Sequence, residues 1–151
     1  MPSPDTSPYF TGYNNGPGLS SVGSYQIAGT PFLSGSSLAD GNVLQMFFPA
    51  VTRRIIIKNL STDAQADLVL AFDNPTTNPA VGGLGNTVTI QSVAALATGP
   101  NEIDLGIKCN SIFLYSPNGG GKTVNYTVIA ELTGIAPSQM FELSGSGIND
   151  V

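Results

Sequence analysis

The chain has 151 residues, 41% of them apolar and only 10% charged, with 18 glycines, 11 prolines, one cysteine and no histidine. That length suits one domain, able to bury about 70% of its unfolded surface without disulfide or metal staples. Ten Asp and Glu against five Lys and Arg leave a net charge of -5 with no basic run, which argues against direct nucleic-acid binding; the lack of histidine removes Ser-His-Asp and Cys-His catalysis and the commonest zinc ligand.

Residues 1–23 are Pro, Ser, Gly, Asn and Tyr without periodicity and read as an extended N-terminal arm. Tyr9, Phe10 and Tyr13 are its large aromatic groups and are expected to anchor it on a neighbouring chain. The first residues have neither a basic start nor an apolar core, so no secretory signal is expected. No stretch reaches the length of a membrane span, so no membrane insertion is expected either.

From residue 24 to 133 strand-like runs recur: 24–33, 42–49, 52–60, 66–72, 86–92, 101–108, 110–116 and 122–133. The separators, among them SGSSLADG, STDAQ and DNPTTNPAVGGLG, supply turn chemistry through Gly, Pro, Asn, Asp and Ser. No segment has convincing helical periodicity; SVAALAT (92–98) has room for one short turn. Eight short strands with turn signals between them predict an all-β sandwich or barrel. Leu68, Leu70 and Phe72 are expected to line the core from one strand, and Val124, Tyr126, Val128, Ala130 and Leu132 from another. The apolar runs IIIK and MFF suggest strands covered on both sides. Residues 134–151 return to tail composition but carry Ile135, Met140, Phe141 and Leu143, so this C-terminal tail is expected to dock, with Met140 and Phe141 as contacts.

Few residues carry the means for chemistry. The stretch SPNGGGKT lacks the first glycine that a phosphate loop needs, and the run from Val124 reads as a strand where a helix should begin. Pro117 to Gly121 therefore reads as a hairpin loop, with no nucleotide and no other cofactor. Glu102 and Asp104 share a strand face, which is the ordinary arrangement of a solvated surface. Asp73, Asn74 and Asn78 could offer oxygen to calcium but lack the spacing of a calcium loop, so no metal is expected. Cys109 reads as a small core residue. Arg53 and Arg54 are the only paired cations; they read either as a subunit contact through guanidinium forks or as charges guarding an edge strand, the latter being favoured.

The arm, then GSYQIAGTPFLSG, FFPAVTRRIIIKN, IKCNSIFLYS and the closing AELTGI and FELSGSGIND together resemble the small single-jelly-roll structural proteins of virus particles, those that serve as vertex (penton), minor capsid or decoration subunits. The resemblance implies an eight-stranded antiparallel jelly-roll β-sandwich, with terminal extensions knitting neighbours together. It also implies a self-assembling, non-enzymatic virion protein, whose partners are copies of itself and other capsid proteins. A host surface receptor is a further partner such a role allows. The arm departs from subunits that touch the genome, since it has no Lys or Arg. The alternative expectation is a carbohydrate- or receptor-binding β-sandwich that presents tyrosines and carboxylates from its loops.

Overall fold

The computed structural model describes residues 29–75, 87–95, 99–117 and 121–140. Strand β8 (Val124–Leu132) shows how sequence becomes sheet here. Val124, Tyr126, Val128, Ala130 and Leu132 are all buried, while the residues between them are exposed or half-buried. A period of two can satisfy both solvents only as an extended strand with one face on a core.

Seven further strands precede it: β1 (Thr30–Leu38), β2 (Val43–Phe47), β3 (Thr52–Asn59), β4 (Leu68–Ala71), β5 (Thr87–Ile90), β6 (Glu102–Leu105) and β7 (Ser111–Tyr115). They form two four-stranded antiparallel sheets, ordered β1-β8-β3-β6 and β2-β7-β4-β5. The pairing is nested: first strand with last, second with seventh, third with sixth, fourth with fifth. Between the sheets lies one core. Ile55, Ile57, Val124, Val128 and Ala130 from the first sheet meet Leu68, Leu70, Ile90, Ile112 and Leu114 from the second. Phe32 and Phe48 close one end of it edge to face, with ring centroids 5.3 Å apart. The expected inward set of β4 is found, Leu68 and Leu70 fully buried and Phe72 packed half-buried against them.

Three local expectations are corrected. The first strand begins at Thr30 and runs through Ser34–Leu38, a stretch whose serines and glycine read as turn; nine consecutive pairs with β8 outweigh their weak strand preference. Gly35 suits the close approach, since a Cβ there would meet the Tyr126 carbonyl oxygen at 3.2 Å. The loop after β7 is no hairpin. β7 belongs to one sheet and β8 to the other, so the chain crosses between layers there, and among the described residues β4 and β5 are the only consecutive strands that pair. The doubly covered strands are also others than expected. In β3 Ile56 is only half-buried, and Phe47 of MFF is 62% exposed. Every residue of β4 is buried, as are the first four of β7, and Ala71 and Phe113 form a second apolar cluster with Val43.

One short helical turn, Val93–Ala95, falls inside the segment that had room for it. Past β8, Ile135 is fully buried and its carbonyl accepts from Val51 N–H at 3.0 Å, so the start of the tail docks; a second short turn, Pro137–Gln139, follows. The arm residues Tyr9, Phe10 and Tyr13, and Phe141 and Leu143 of the tail, lie outside the described residues, as do Asn78 and the middle of the glycine loop.

Candidate functional site

The described residue groups include no cluster of three or more His, Cys, Asp or Glu side chains that could hold a metal ion, and no helix long and apolar enough to cross a membrane. The ionic side chains instead decorate the outer face of the β1-β8-β3-β6 sheet, where register brings opposite charges side by side. Lys58 stands opposite Glu102 on β6 and its Nζ lies 2.8 Å from the carboxylate. Arg54 donates to Asp104 from Nε at 2.9 Å and from Nη2 at 2.5 Å, a two-pronged contact that holds the Asp104 carboxyl below the usual carboxylate range. Arg53 Nε donates to Glu131 Oε2 at 2.6 Å. The carboxylates on β6 are thus each paired with a cation of β3.

β3 therefore carries its arginines in the interior of a sheet, between β8 and β6. The expectation that they guard an edge is overturned, because a strand with charged ends can lie inside a sheet when both neighbours supply acids across the register. A shift of register between Thr52 and Arg54 inserts Arg53 as an extra residue. This bulge lets two successive arginines reach one carboxylate: Arg53 bonds Glu131 directly, and Arg54 Nη1 lies 3.8 Å from its other oxygen.

Beside the bulge, Arg53, Arg54, Gly106, Ile107, Lys108 and Glu131 line an open cleft of about 360 Å³. Three of the five basic residues of the chain are there, with a single acid among them. The cleft wall is held from beneath by Thr52, which is fully buried. Its hydroxyl lies 3.0 Å from the Ile107 carbonyl and 3.2 Å from that of Cys109, while accepting from Cys109 N–H at 3.1 Å. Cys109 itself is a buried core residue; burial pushes its thiol up to about 11, far from a reactive thiolate.

The root of the tail reaches the same end of the sandwich. Val51, two residues before Arg53, bonds Ile135 and Thr133, and Thr30 at the start of β1 faces Leu132 at the end of β8. Met140 follows the last short turn half-buried. Of the expected contact residues, Arg53 and Arg54 are brought together. Sequence reasoning missed Glu131 and Lys108, whose relation to the arginines depends on pairings across the sheet, and it missed Asn59. That fully buried side chain donates to the carbonyls of Ala66 at 2.8 Å and Ile90 at 3.0 Å and accepts from Ser61 N–H.

At the opposite side of the loops, Lys122 pairs with Asp63 at 2.8 Å, which lowers the Asp63 pKa and raises that of Lys122. Gly121 N–H donates to Asp40 at 2.7 Å, and a strand follows, so the lysine of the glycine loop answers an acid of its own chain. Asp67 accepts from Ser92 N–H and Asp73 from Asn74 N–H, so the acids that are near in sequence turn to separate partners.

No protein-family model matches the chain, and no curated protein matches it. A solved chain from the disulfide-linked pili of Bacillus endospore appendages is similar over 70% of this chain and 89% of its own, with 7% identity and a TM-score of 0.36. A likeness of that size carries no inference about fold or role.

Proposed function

We propose that the chain is a non-enzymatic structural subunit of a virus particle, a jelly-roll capsid, vertex or decoration protein that works as a homo-oligomer among other capsid proteins. The observation that carries this reading is the nested pairing of eight strands in the orders β1-β8-β3-β6 and β2-β7-β4-β5. That order supports reading the chain as a long hairpin wrapped into two sheets, a jelly-roll plan of the kind found in capsid and lectin domains. Because a fold alone does not specify a role, the surface must also fit. Two features favour a subunit: the sparse charge of the chain, and large apolar side chains left in solvent, Leu33 at 72% and Phe47 at 62% exposure, for a neighbour to cover. Entry and exit of the sandwich at Thr30 and Leu132 also root both extensions at one place, from which they can engage one adjoining copy.

The test is the mass of the purified full chain in solution and its presence in particles. A closed ring, or a copy bound to purified particles, is expected. A monomer at all concentrations, stabilised on adding a sugar, would overturn the reading in favour of a glycan-binding module. Deleting residues 2–20 is expected to leave a folded sandwich that no longer incorporates stably; normal assembly of the shortened chain would remove the arm from the mechanism.

A further inference from the structure

The two lateral sides of the sandwich differ. On one side the outer strands are β6 and β5, four residues each, and β6 carries Glu102 and Asp104. On the other side stand β1, nine residues long, and β2, and neither contains a charged residue. Long uncharged edges invite pairing with another chain; short or charged ones discourage it. Six of the nine residues of β1 are exposed, so this edge is open. We propose that β1 pairs antiparallel with β1 of a second copy about a two-fold axis at Ser34, joining the β1-β8-β3-β6 sheets of two copies into one continuous sheet. The proposal rests on the homo-oligomer part of the subunit reading and names its joint, a pair being the smallest closed form.

Backbone direction fixes what the edge offers. Asn125 of β8 turns its carbonyl to Leu60 N–H and its own N–H to the Ser61 hydroxyl, both just past the end of β3. Backbone groups alternate in direction along an antiparallel strand, so the even-numbered residues of β8 address β1 instead. Opposite them stand Thr30, Phe32, Ser34, Ser36 and Leu38. Pro31, Leu33, Gly35 and Ser37 therefore turn their backbone groups to the open edge, and the proline stands where its missing N–H costs no bond to β8. With the axis at Ser34, Leu33 lies opposite the partner's Gly35 and exchanges two hydrogen bonds with it, and each Ser37 N–H meets the partner's Pro31 carbonyl. Every outward N–H of both strands then has an acceptor.

Side chains and charge agree with that register. Leu33, 72% exposed, projects from the outer face, and the glycine opposite leaves room for it. The two Leu33 side chains become diagonal neighbours across the axis, extending the row of half-buried Ile129 and Ile56 that register places beside each. A chain of net charge -5 meeting its copy through β1 keeps the acids of β6 at the two far edges. β2 borders the same side, since residues 39–42 join it to β1 and Phe48 just past its end touches Phe32; Phe47, 62% exposed, stands there too. A side about 30 Å long and two sheets deep offers about 1,200 Å² over both copies, the lower end of what a specific pair buries.

The test uses the full chain. Light scattering is expected to show a pair, or a multiple of one, between about 1 and 100 µM. Ser34→Cys is expected to form an intermolecular disulfide under mild oxidation, because residues facing each other at the axis have Cα atoms about 4.5 Å apart. Ser36→Cys, opposite the partner's Phe32, is the control and is expected to stay uncrosslinked; the native Cys109 is buried. Leu33→Asp, at an exposed position, and Ser37→Pro, which removes a donor aimed at the partner and none aimed at β8, are each expected to weaken pairing about tenfold or more with an unchanged far-UV spectrum. Ser34→Cys that cross-links no better than Ser36→Cys, or edge variants that both pair as the parent does, would overturn the joint. If the parent associates all the same, the subunit reading stands. A parent that is monomeric throughout overturns the joint, and binding to purified particles then decides the subunit reading by itself. A cross-linked pair in a protein absent from particles supports the joint and counts against the virion role.

Discussion

Arg54 on β3 and Asp104 on β6 meet by two parallel hydrogen bonds across the strand pair, with the guanidinium fork facing both carboxylate oxygens. The arginine lowers the Asp104 pKa from its ordinary 3.8, chiefly through these bonds. A depressed carboxylate pKa stabilises the fold fully above the unfolded-state value and loses that contribution as pH falls through the folded-state value. Asp104→Asn is therefore expected to melt slightly below the parent at neutral pH, with the gap closing at the acid end. Melting curves taken from pH 7 to 2 check this, and a gap that is constant across the range would contradict it.

Asn59 is a larger matter. Replacing it by Ala would strand the carbonyls of Ala66 and Ile90 and the Ser61 N–H in a closed interior. Leaving such groups without partners costs about 1–3 kcal/mol each way it is counted, so Asn59→Ala is expected to lower stability by at least that much, with an unchanged urea m-value. The same end of the core holds the opposite case. The hydroxyl of Ser92 is buried with no hydrogen-bond partner among the described residues, so Ser92→Ala is expected to be neutral or stabilising by up to about 1 kcal/mol. Urea midpoints of the two variants decide both.

At the glycine loop, backbone shape matters more than charge. Gly121 has φ of 76°, a region that costs other residues about 1–2 kcal/mol, so Gly121→Val is expected to destabilise by about that amount. Lys122→Ala removes only an exposed ion pair with Asp63 and is expected to change stability little. Neither ATP nor GTP should raise the melting temperature of the parent; a nucleotide-dependent rise would reopen the phosphate-loop reading.

Cys109 supplies a probe of global opening. With the thiol buried and its pKa raised to about 11, a disulfide reagent at pH 8 is expected to react only as fast as the domain unfolds. Reaction with the native protein within the mixing time would mean that the Thr52–Cys109 region opens locally.

Strand content was legible where alternation was clean. The five inward residues of β8 and the Leu68–Leu70 pair could be read directly, because a two-residue period with β-branched side chains has few other outcomes. β1 was obscured because Ser34 to Ser37 have no apolar signal; only their pairing with β8, far along the chain, makes them a strand. The same distance hides the site. Nothing local in TRRIIIKN reveals that Arg53 will face Glu131, or that a bulge will turn both arginines to one acid. The glycine loop misled in the reverse direction, since its composition specifies a turn but not whether the strands it joins share a sheet.

The nested pairing also orders the birth of the protein. Among the described strands β8 is the last to be synthesised, yet it lies inside its sheet, between β1 and β3. While the ribosome works through the middle of the chain, β4 and β5 can pair and β3 can wait for β6, but β1 has no partner at all. At about 5–20 residues per second its nine residues stay unpaired for several seconds, a window in which another nascent chain on the same message offers them an equally good β8. Exchange of the final strand between chains is thus the characteristic error this topology invites, and crowding of ribosomes on one message should raise its frequency.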